Sequence, residues 1–470
     1  MTFNRYVPCI NTFYDNQVDA YVPQLWANES LIILEENMVA AKLVYRDFEP
    51  IIQDYGDTVN TRQPAHFVAI RKGASDDVTN QDAIATNVAV VLNQLIHVSF
   101  VIRDSQASKS FKDLVTEFLR PAMIAQAKIV DQCILGQVAQ FLGNSVISPT
   151  GVLDKTTVKD TMLAARGLMN KNLAPETERS LLWSSTSETV ALQNELFLAA
   201  YATGDGGNAL QNATLGRKLG FDNYMSQDVP APTSSGINLL GGASGAINYT
   251  AGYGIGTTTM TINGITGAAA NNQWCTIGGI PYRIVSHTET AGNTTSITIA
   301  SPGLQTAVSN AAIVNIITNG TVNNVGGYPA GYPMYIAVTG FTNFPVVGQF
   351  VTFGSSPTSP VYCIIQVPGD GTIALDRPLD VAINNGDQVN VGPAGSYNFA
   401  FHRNAVALIS RPLALPPAGV GARAAVVNYN DVSMRALIAY DSVKQGLRVT
   451  LDALYGVKVL NTALGCVMLG

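Results

Sequence analysis

The chain has 470 residues, and its 27 basic and 33 acidic residues make up 13% of the sequence beside an ordinary apolar fraction of 47%. An ordinary soluble domain carries about 25% charged residues, so the composition excludes disorder driven by charge and low hydrophobicity. The net charge of −6, without a basic block, argues against a dedicated nucleic-acid binder, and the low charge first indicates a surface that is buried in an assembly.

The sequence shows no pattern typical of secretion or of a membrane protein. Residues 1–20 contain no apolar core of the kind that a secretory signal needs, and no apolar run reaches the roughly 18 residues of a membrane helix. The five cysteines are far apart and form no C-x-x-C pair, which favours reduced thiols over disulfides or a zinc site. We therefore expect a protein made in a cytoplasm, without a membrane.

The first part of the chain predicts an arm and helix over residues 1–45 and an extended loop over residues 46–106. Apolar residues from Glu29 to Val44 recur at helical spacing. Thr58–Lys72 and Asn87–Asp104 alternate like strands, and Gly73–Thr86 joins them, which predicts a long β-hairpin. At about 3.3 Å per residue its arms would reach about 50 Å, and its apolar face would have no partner in a compact monomer.

A long helix dominates residues 107–150. Ala107–Leu142 carries one apolar stripe, with Pro121 predicted to kink the helix or to split it in two, and with Gly143-Asn144 predicted to end it. Residues 151–230 follow as the first part of another domain. There the patterns predict a helix over Lys155–Asn170, a strand over Arg179–Ser185 and a helix capped by Ser187 that runs through Ala200.

Residues 231–395 differ sharply from the remainder. They hold seven charged residues and 25 of the 42 glycines, and short runs of Val, Ile, Thr and Tyr alternate with turn residues. This pattern predicts an inserted all-β domain. Trp274–Gly278 aligns with Phe350–Gly354 at an offset of 76 residues, which predicts two tandem modules at about 254–318 and 331–393.

Residues 396–470 complete the domains that the insert interrupts. They predict strands over Asn398–Ser410, Ala422–Asn428, Val432–Tyr440, Leu447–Asp452 and Val457–Leu469.

No pattern in the chain indicates catalysis, a cofactor or a metal site. His66, His97, His287 and His402 lack the spacing of metal ligands, and the glycine-rich strings fit turns better than phosphate-binding loops. We predict no catalytic, cofactor-binding or metal-binding residues, and a protein that is not an enzyme.

The order of the elements resembles the major capsid (coat) protein of tailed double-stranded DNA bacteriophages, specifically the coat family of short-tailed phages with an inserted β-rich domain. The resemblance covers most of Tyr21–Pro230 and Tyr397–Gly470. It depends on the long loop, the spine helix and four short stretches: Trp26–Leu31, Asn398–Ala407, Ser433-Met434-Arg435 and Asp452–Lys458.

The resemblance implies an α+β capsid fold with an N-terminal arm, an extended loop, a spine helix, and peripheral and axial domains. It implies self-assembly into hexamers and pentamers of an icosahedral head in the virion, built in the host cytoplasm around double-stranded DNA without sequence-specific contacts. The implied partners are other copies of the chain, a scaffolding protein, a portal and, as a further option, a decoration protein. The insert is implied to act in folding and capsid stabilisation.

Five charged residues of the loop are candidate intersubunit contacts: Arg62, Arg71, Lys72, Asp76 and Asp77. The alternative for them is a solvated turn. Some members of the family cross-link subunits through a loop lysine and an asparagine, but Arg71 beside Lys72 favours ordinary ion pairing here. Two other functions stay open: a non-viral nanocompartment shell of the same fold, which needs an interior pocket for cargo peptides, and a secreted β-rich adhesin or surface-layer protein.

Overall fold

The computed structural model describes residues 27–34, 38–48, 57–63, 69–73, 77, 80, 86–103, 118–149, 151–198, 212–233, 238–332, 335–369, 371–417, 422–429 and 432–470. Its α-helices are α1 (residues 27–34), α2 (Ala40–Leu43), α3 (Arg120–Gly136), α4 (Val158–Lys171), α5 (Ser185–Leu192) and α6 (Glu195–Leu198). Its strands are β1 (Thr58–Gln63), β2 (Thr86–Val91), β3 (Gln94–Arg103), β4 (Ser145–Ile147), β5 (Arg179–Trp183), β6 (Arg217–Lys218), β7 (Phe221–Met225), β8 (Gly245–Ile247), β9 (Thr259–Asn263), β10 (Trp274–Ile277), β11 (Ile280–Thr290), β12 (Asn293–Ile299), β13 (Ile313–Ile316), β14 (Gly320–Val322), β15 (Tyr335–Thr339), β16 (Phe350–Phe353), β17 (Val361–Gly369), β18 (Thr372–Leu375), β19 (Gln388–Val391), β20 (Tyr397–His402), β21 (Val406–Arg411), β22 (Ala422–Tyr429), β23 (Val432–Asp441), β24 (Gly446–Val459) and β25 (Gly465–Leu469). Mostly antiparallel sheets with separate helices confirm the predicted α+β class.

The helix predicted over Glu29–Val44 is divided into α1 and α2. All five apolar residues of the predicted stripe are buried: Leu31, Leu34, Met38, Ala41 and Val44. The periodicity therefore identified the core-facing side, but not the break. At the start of α2 the backbone N–H groups of Val39, Ala40 and Ala41 donate to the carboxylate of Asp131 at 2.7–3.2 Å, which satisfies donors that would otherwise lack a partner at a helix start.

The prediction of one long strand over Asn87–Asp104 is wrong, because this stretch forms two strands. Leu92 and Asn93 separate β2, which forms six pairs with β1, from β3, which forms ten pairs with β24. The described ladder between β1 and β2 is therefore about 20 Å long. Val90, Leu92, Ile96 and Ile102 are buried within the same chain, so the expectation of an apolar face without a partner in the monomer is also wrong. The reason is β24, whose edge is long enough to pair with the whole of β3.

The long helix begins at Arg120 as an α-helix and contains Pro121 in its first turn, where proline is tolerated. The predicted kink at Pro121 is therefore absent from α3, while the alternative of a helix split at Pro121 stays a prediction. A π-helical turn at Phe118 and Leu119 precedes it, and residues 107–117 of the prediction lie outside the described residues. After Gly136 the chain continues as a 3₁₀ helix, Gln137–Asn144, which ends at the predicted boundary. We call α3 the spine helix.

A six-stranded sheet has the order β4-β25-β20-β5-β7-β6 and carries α4, α5 and α6. The predicted helix over Lys155–Asn170 is confirmed as α4, with its four predicted apolar residues buried: Val158, Met162, Ala165 and Met169. The helix N-cap predicted at Ser187 is wrong by three residues. Ser184, not Ser187, is the N-cap of α5, because its Oγ accepts a hydrogen bond from the Ser187 N–H at 3.2 Å, and α5 ends at Leu192 instead of Ala200.

A five-stranded sheet combines β21, β24, β23 and β22 in that order, and β3 also pairs with β24. The strand predicted over Asn398–Ser410 is two strands, β20 and β21. A 3₁₀ turn, Arg403–Ala405, separates them and carries the chain from the six-stranded sheet to this one. The strand predicted over Leu447–Asp452 and the start of the next are one 14-residue strand, β24.

The glycine-rich insert forms two closed six-stranded barrels. Their strand orders are β10-β11-β12-β9-β8-β13 and β14-β15-β18-β17-β16-β19. Matching each strand of the first barrel to the sixth strand after it (β8 to β14, β9 to β15 and so on) turns its order into β16-β17-β18-β15-β14-β19. This is the order of the second barrel when that closed ring is read in the opposite direction. The barrels begin at Gly245 and Gly320, so the module starts predicted at 254 and 331 leave out the first strand of each. The two ends of the insert lie together, since Gly395 N donates to Pro232 O and Tyr397 N to Pro230 O.

One large hydrophobic core runs through the spine helix, the five-stranded sheet and the first barrel, while the second barrel has its own core. The four cysteines in the described part of the chain are buried and unpaired: Cys133, Cys275, Cys363 and Cys466. Within the described residues, no helix combines the length and apolar character needed to cross a membrane.

Candidate functional site

The base of the extended loop is fixed to the five-stranded sheet by a small hydrophobic cluster. Val90 and Leu92 from the loop pack with Ile409 and Leu454 of the sheet, and all four are buried. Phe48, Val59 and Leu413 cover the cluster. Burial of one such side chain contributes about 1.5–3 kcal/mol, so the cluster holds the base of the loop firmly in place.

Gly456 of β24 allows β2 to lie directly against the sheet. A methyl group at this position would overlap the carbonyl oxygen of Val91 and would approach the Val90 side chain. Glycine is therefore required here by close backbone approach.

We expect Gly456→Ala to destabilise the base of the loop by about 1–3 kcal/mol, because β2 must shift to make room. Hydrogen exchange of the β2 amides would report the change. Gly254→Ala is the control, since a methyl at Gly254 meets open space, and we expect it to cost less than about 0.5 kcal/mol. Equal exchange rates in both variants would contradict the close-approach role of Gly456.

Beyond this base, the described residues of the loop are exposed. All seven of its described residues between β1 and β2 are exposed and lie outside helices and strands: Ala69, Ile70, Arg71, Lys72, Gly73, Asp77 and Asn80. The predicted contact residues Arg71, Lys72 and Asp77 are among them. Arg62 lies in β1 opposite Asn87, and its side chain is outside the description, as is the whole of Asp76. Their predicted role as intersubunit contacts stays a prediction.

An exposed apolar tip at the β23–β24 hairpin was not predicted. Tyr440 and Leu447 are paired across the two strands and exposed, and Val443 in the turn is 91% exposed. The turn is ordered, because Asp441 Oδ1 accepts the N–H groups of Val443 and Lys444 at 3.0 and 3.1 Å. The sequence signal that could have predicted this tip is Val443, an apolar residue in an otherwise polar turn.

The second barrel contacts the spine helix through a buried ion pair. Arg377 Nη1 lies 2.9 Å from Asp376 Oδ2, and both side chains are almost fully buried. Asp376 Oδ1 accepts the Cys363 N–H at 2.8 Å. The Asp376 carboxylate occupies the space where a side chain at Gly136 of the spine would lie, so glycine permits the contact.

Charge and burial act in opposite directions at this pair. Burial raises the pKa of Asp376, and Arg377 opposes that rise. Burial alone would favour a neutral guanidine, but the carboxylates of Asp376 and Asp380 outweigh it and raise the pKa of Arg377. Each member of the pair therefore depends on the other to hold its charge against burial.

The first barrel contacts the end of the 3₁₀ extension and the start of β4 through Gln305. Its Oε1 accepts the backbone N–H of Ser145 at 2.6 Å and the hydroxyl of Ser145 at 3.0 Å. Its Nε2 donates to the Leu142 carbonyl. Both barrels are thus fixed to the same helix and its 3₁₀ extension.

The described residues contain no group of three or more His, Cys, Asp and Glu side chains that could hold a metal ion. His287 Nε2 lies 3.0 Å from Glu289 Oε1 on an exposed surface, and His402 Nδ1 accepts the Asn404 N–H. Four thiols are buried, and burial raises the pKa of Cys275 to about 12. That the protein lacks a catalytic, cofactor or metal site stays a prediction.

No protein-family model matches the sequence, and comparison with curated proteins gives no significant match. Among solved structures, the chain is similar to one from the capsid of the cyanophage P-SCSP1u (10% identity, TM-score 0.41, 91% of this chain and 90% of that chain). It is also similar to a chain from Mycobacterium phage Che8 (12%, 0.39, 92% and 90%) and one from the mature capsid of bacteriophage PhiM1 (8%, 0.38, 89% and 83%). At TM-scores below 0.5, these similarities do not by themselves establish a fold or a function.

Proposed function

We propose that this chain is the major capsid protein of a tailed double-stranded DNA bacteriophage, a structural protein that forms hexamers and pentamers of a closed shell around the genome. The observation that carries the proposal is the extended loop, which projects exposed residues from a base that is held rigidly on the sheet. A fixed base with an exposed extension is what a contact with a neighbouring subunit requires. The ordered sequence resemblance supports the same function.

The exposed apolar side chains support burial between subunits. Ile70 in the loop is 58% exposed, and Tyr440, Val443 and Leu447 form an exposed tip at the far end of the five-stranded sheet. Permanent interfaces are more apolar than ordinary surfaces, and a chain with 13% charged residues loses little to desolvation when its surface is covered.

The charged loop residues would add specificity to these contacts. We propose that Arg62, Arg71, Lys72, Asp76 and Asp77 form ion pairs with neighbouring subunits. A scaffolding protein, a portal and a decoration protein are the further partners that the proposed function implies, with assembly in the host cytoplasm and the finished protein in the virion.

We also propose that the insert arose by tandem duplication and stabilises the spine. The matching strand orders support this, and so do repeated hydrogen bonds. Tyr282 OH accepts the Gln305 N–H at 3.0 Å, and Tyr362 OH accepts the Asp380 N–H at 2.8 Å at the equivalent place. Gln273 and Gln349 each accept, at 2.8 Å, the N–H of the residue three positions earlier.

Electron microscopy of the purified chain tests the shell. We expect closed particles or capsomers from the full chain, and none from a variant that lacks residues 74–85. This deletion spares Thr86, which pairs with Gln63 at the end of the described ladder, so circular dichroism of the monomer should be almost unchanged.

A variant in which residues 74–85 are replaced by a Gly-Ser segment of equal length is the matched control for chain length. It should also fail to assemble, because the side chains carry the contact. Normal shells from the deletion variant would contradict the role of the loop, and a monodisperse monomer from the full chain under all conditions would contradict the proposed function.

A further inference from the structure

The sequence contains three Asn-Gly pairs, and all of them lie in the insert: Asn263-Gly264, Asn319-Gly320 and Asn385-Gly386. Such pairs are chemically labile, because glycine has no side chain to keep its backbone nitrogen away from the preceding side-chain amide. The nitrogen attacks Cγ of the asparagine, the Cγ–Nδ2 bond breaks, and ammonia leaves with the proton of the backbone N–H. Water then opens the resulting succinimide at one of its two carbonyls and gives aspartate or isoaspartate.

The pair Asn385-Gly386 in the second barrel is restrained on both reacting groups. Asn385 Oδ1 accepts the backbone N–H of Asn324 at 3.0 Å, which fixes the side-chain amide. The Gly386 N–H donates to the Val322 carbonyl at 2.9 Å, so the attacking nitrogen is already engaged. The reaction at this pair must first break these hydrogen bonds.

The pair Asn319-Gly320, where the second barrel begins, is restrained in a similar way. Asn319 Oδ1 accepts a hydrogen bond from Gln273 Nε2 at 3.1 Å. Gly320 is buried and pairs with Val389 of the neighbouring strand β19. The backbone nitrogen is therefore held in a barrel strand, away from solvent.

The pair Asn263-Gly264 in the first barrel lacks these restraints. Asn263 is the last residue of β9, where it pairs with Ala246, and both Asn263 and Gly264 are exposed. Within the described part of the chain, neither the Asn263 side chain nor the Gly264 N–H forms a hydrogen bond. The two reacting groups can therefore approach each other without breaking an existing contact.

The second barrel shows that this turn does not require an asparagine. At the offset of 76 residues, Asn263-Gly264 corresponds to Thr339-Gly340. The two glycines have similar backbone conformations, with φ of 80° and 88°, and a side chain on either would lie 3.5 Å from the Cα of the glycine that faces it. Threonine therefore fits the same position of this barrel and supplies a variant without the reactive amide.

We propose that Asn263 is a site of spontaneous deamidation and isoaspartate formation, and that this modification limits the lifetime of the first barrel. Isoaspartate adds one methylene group to the backbone at residue 263. Ile262 and Ile265 are buried on either side of the pair, so the longer backbone must displace one of them from the core. The proposal does not require the chain to form a shell, so it can fail independently of the proposed function.

Peptide mapping by mass spectrometry tests the proposal on the full chain, stored folded at mildly alkaline pH so that the attacking nitrogen can lose its proton. Labelling with an isoaspartyl methyltransferase distinguishes isoaspartate from aspartate. We expect Asn263 to convert about tenfold faster than Asn319 or Asn385, as the loss of one hydrogen bond before the reaction predicts. In concentrated urea the restraints are lost, and all three asparagines should convert at similar rates.

Asn263→Thr is the matched control, because it gives the first barrel the pair that the second barrel already has. After storage, the natural chain should show faster hydrogen exchange of the β8 and β9 amides, whereas the variant should keep its initial rates. Equal conversion of the three asparagines in the folded chain, or conversion of Asn263 in urea alone, would overturn the proposal. Equal loss of protection in the stored variant, or none in a converted natural chain, would overturn the effect on the barrel.

Discussion

Arg377→Met is expected to weaken the docking of the second barrel on the spine helix by about 3–5 kcal/mol. The substitution leaves the Asp376 carboxylate buried without its counter-ion. A buried charge without a partner is strongly destabilising, because its lost hydration is no longer compensated. It also leaves the Val361 carbonyl without the hydrogen bond that Arg377 Nη2 donates at 2.7 Å. Native-state hydrogen exchange of β17 and β18 is the suitable measurement, because a chain with several domains need not unfold in one step.

The double variant Asp376→Asn with Arg377→Met separates charge from packing. Asparagine keeps an acceptor for the Cys363 N–H while both charges are removed, so we expect it to recover most of the loss. Arg217→Met, which breaks the exposed pair of Arg217 and Asp222, should change stability by less than about 1 kcal/mol. If Arg377→Met cost no more than Arg217→Met, the buried pair would not be what fixes the barrel.

This pair also distinguishes two barrels that are otherwise alike. At the offset of 76 residues, Asp376 and Arg377 correspond to Ala300 and Ser301 in the first barrel. The first barrel instead uses Gln305, whose N–H donates to a tyrosine hydroxyl as the Asp380 N–H does, to bind the end of the 3₁₀ extension. Related loops of the two barrels therefore contact the spine helix and its 3₁₀ extension with different chemistry.

Much of the fold could be predicted from local patterns. The alternation in residues 87–104 identified a buried face correctly, and the composition of residues 231–395 predicted an all-β insert that the structure forms as two barrels. The partner of β3 could not be predicted, because the pairing with β24 joins residues about 350 positions apart and no local pattern encodes it. The same limit explains why the loop was predicted as one long hairpin.

The candidate site was predictable only in part. The charges of the loop were visible in the sequence, but the cluster that fixes its base combines residues from 90 to 454 and had no local signal. Gly456 looked like any turn glycine, since its role depends on the approach of Val91. Asp131 was likewise indistinguishable from a surface residue within a helical pattern.

Asp131 joins the N-terminal segment to the spine helix through three hydrogen bonds from Val39, Ala40 and Ala41. Burial raises the pKa of Asp131 to about 6 from 3.8, although the three N–H groups oppose the shift, and the nearby carboxylate of Asp228 adds to it. Asp228 is itself held by Gln132 Nε2 at 3.1 Å, with Lys128 close by. The folded state therefore binds the proton of Asp131 more tightly than the unfolded state does.

A raised pKa in the folded state means that the stability contributed by protonation is fully present below about pH 4 and is lost as the pH rises through about 6. The difference between a pKa of 3.8 and one of about 6 corresponds to about 3 kcal/mol of stability. Asp131→Asn removes this titration, so the difference in unfolding free energy between the variant and the natural chain should change by about 3 kcal/mol between pH 4 and pH 7, in favour of the variant at pH 7.

Asp131→Leu is the companion variant, because it removes the acceptor as well as the charge. Three N–H groups, two of them buried, then lose their partner, and we expect a loss of about 3 kcal/mol at every pH. Native-state hydrogen exchange of the spine-helix amides at pH 4, 5, 6 and 7 would measure both variants against the natural chain, because titrations that all three chains share cancel in the differences. If the stability difference between Asp131→Asn and the natural chain stayed constant with pH, Asp131 would not titrate in this range. If Asp131→Leu were as stable as the natural chain, the three hydrogen bonds would not be what holds the N-terminal segment on the spine.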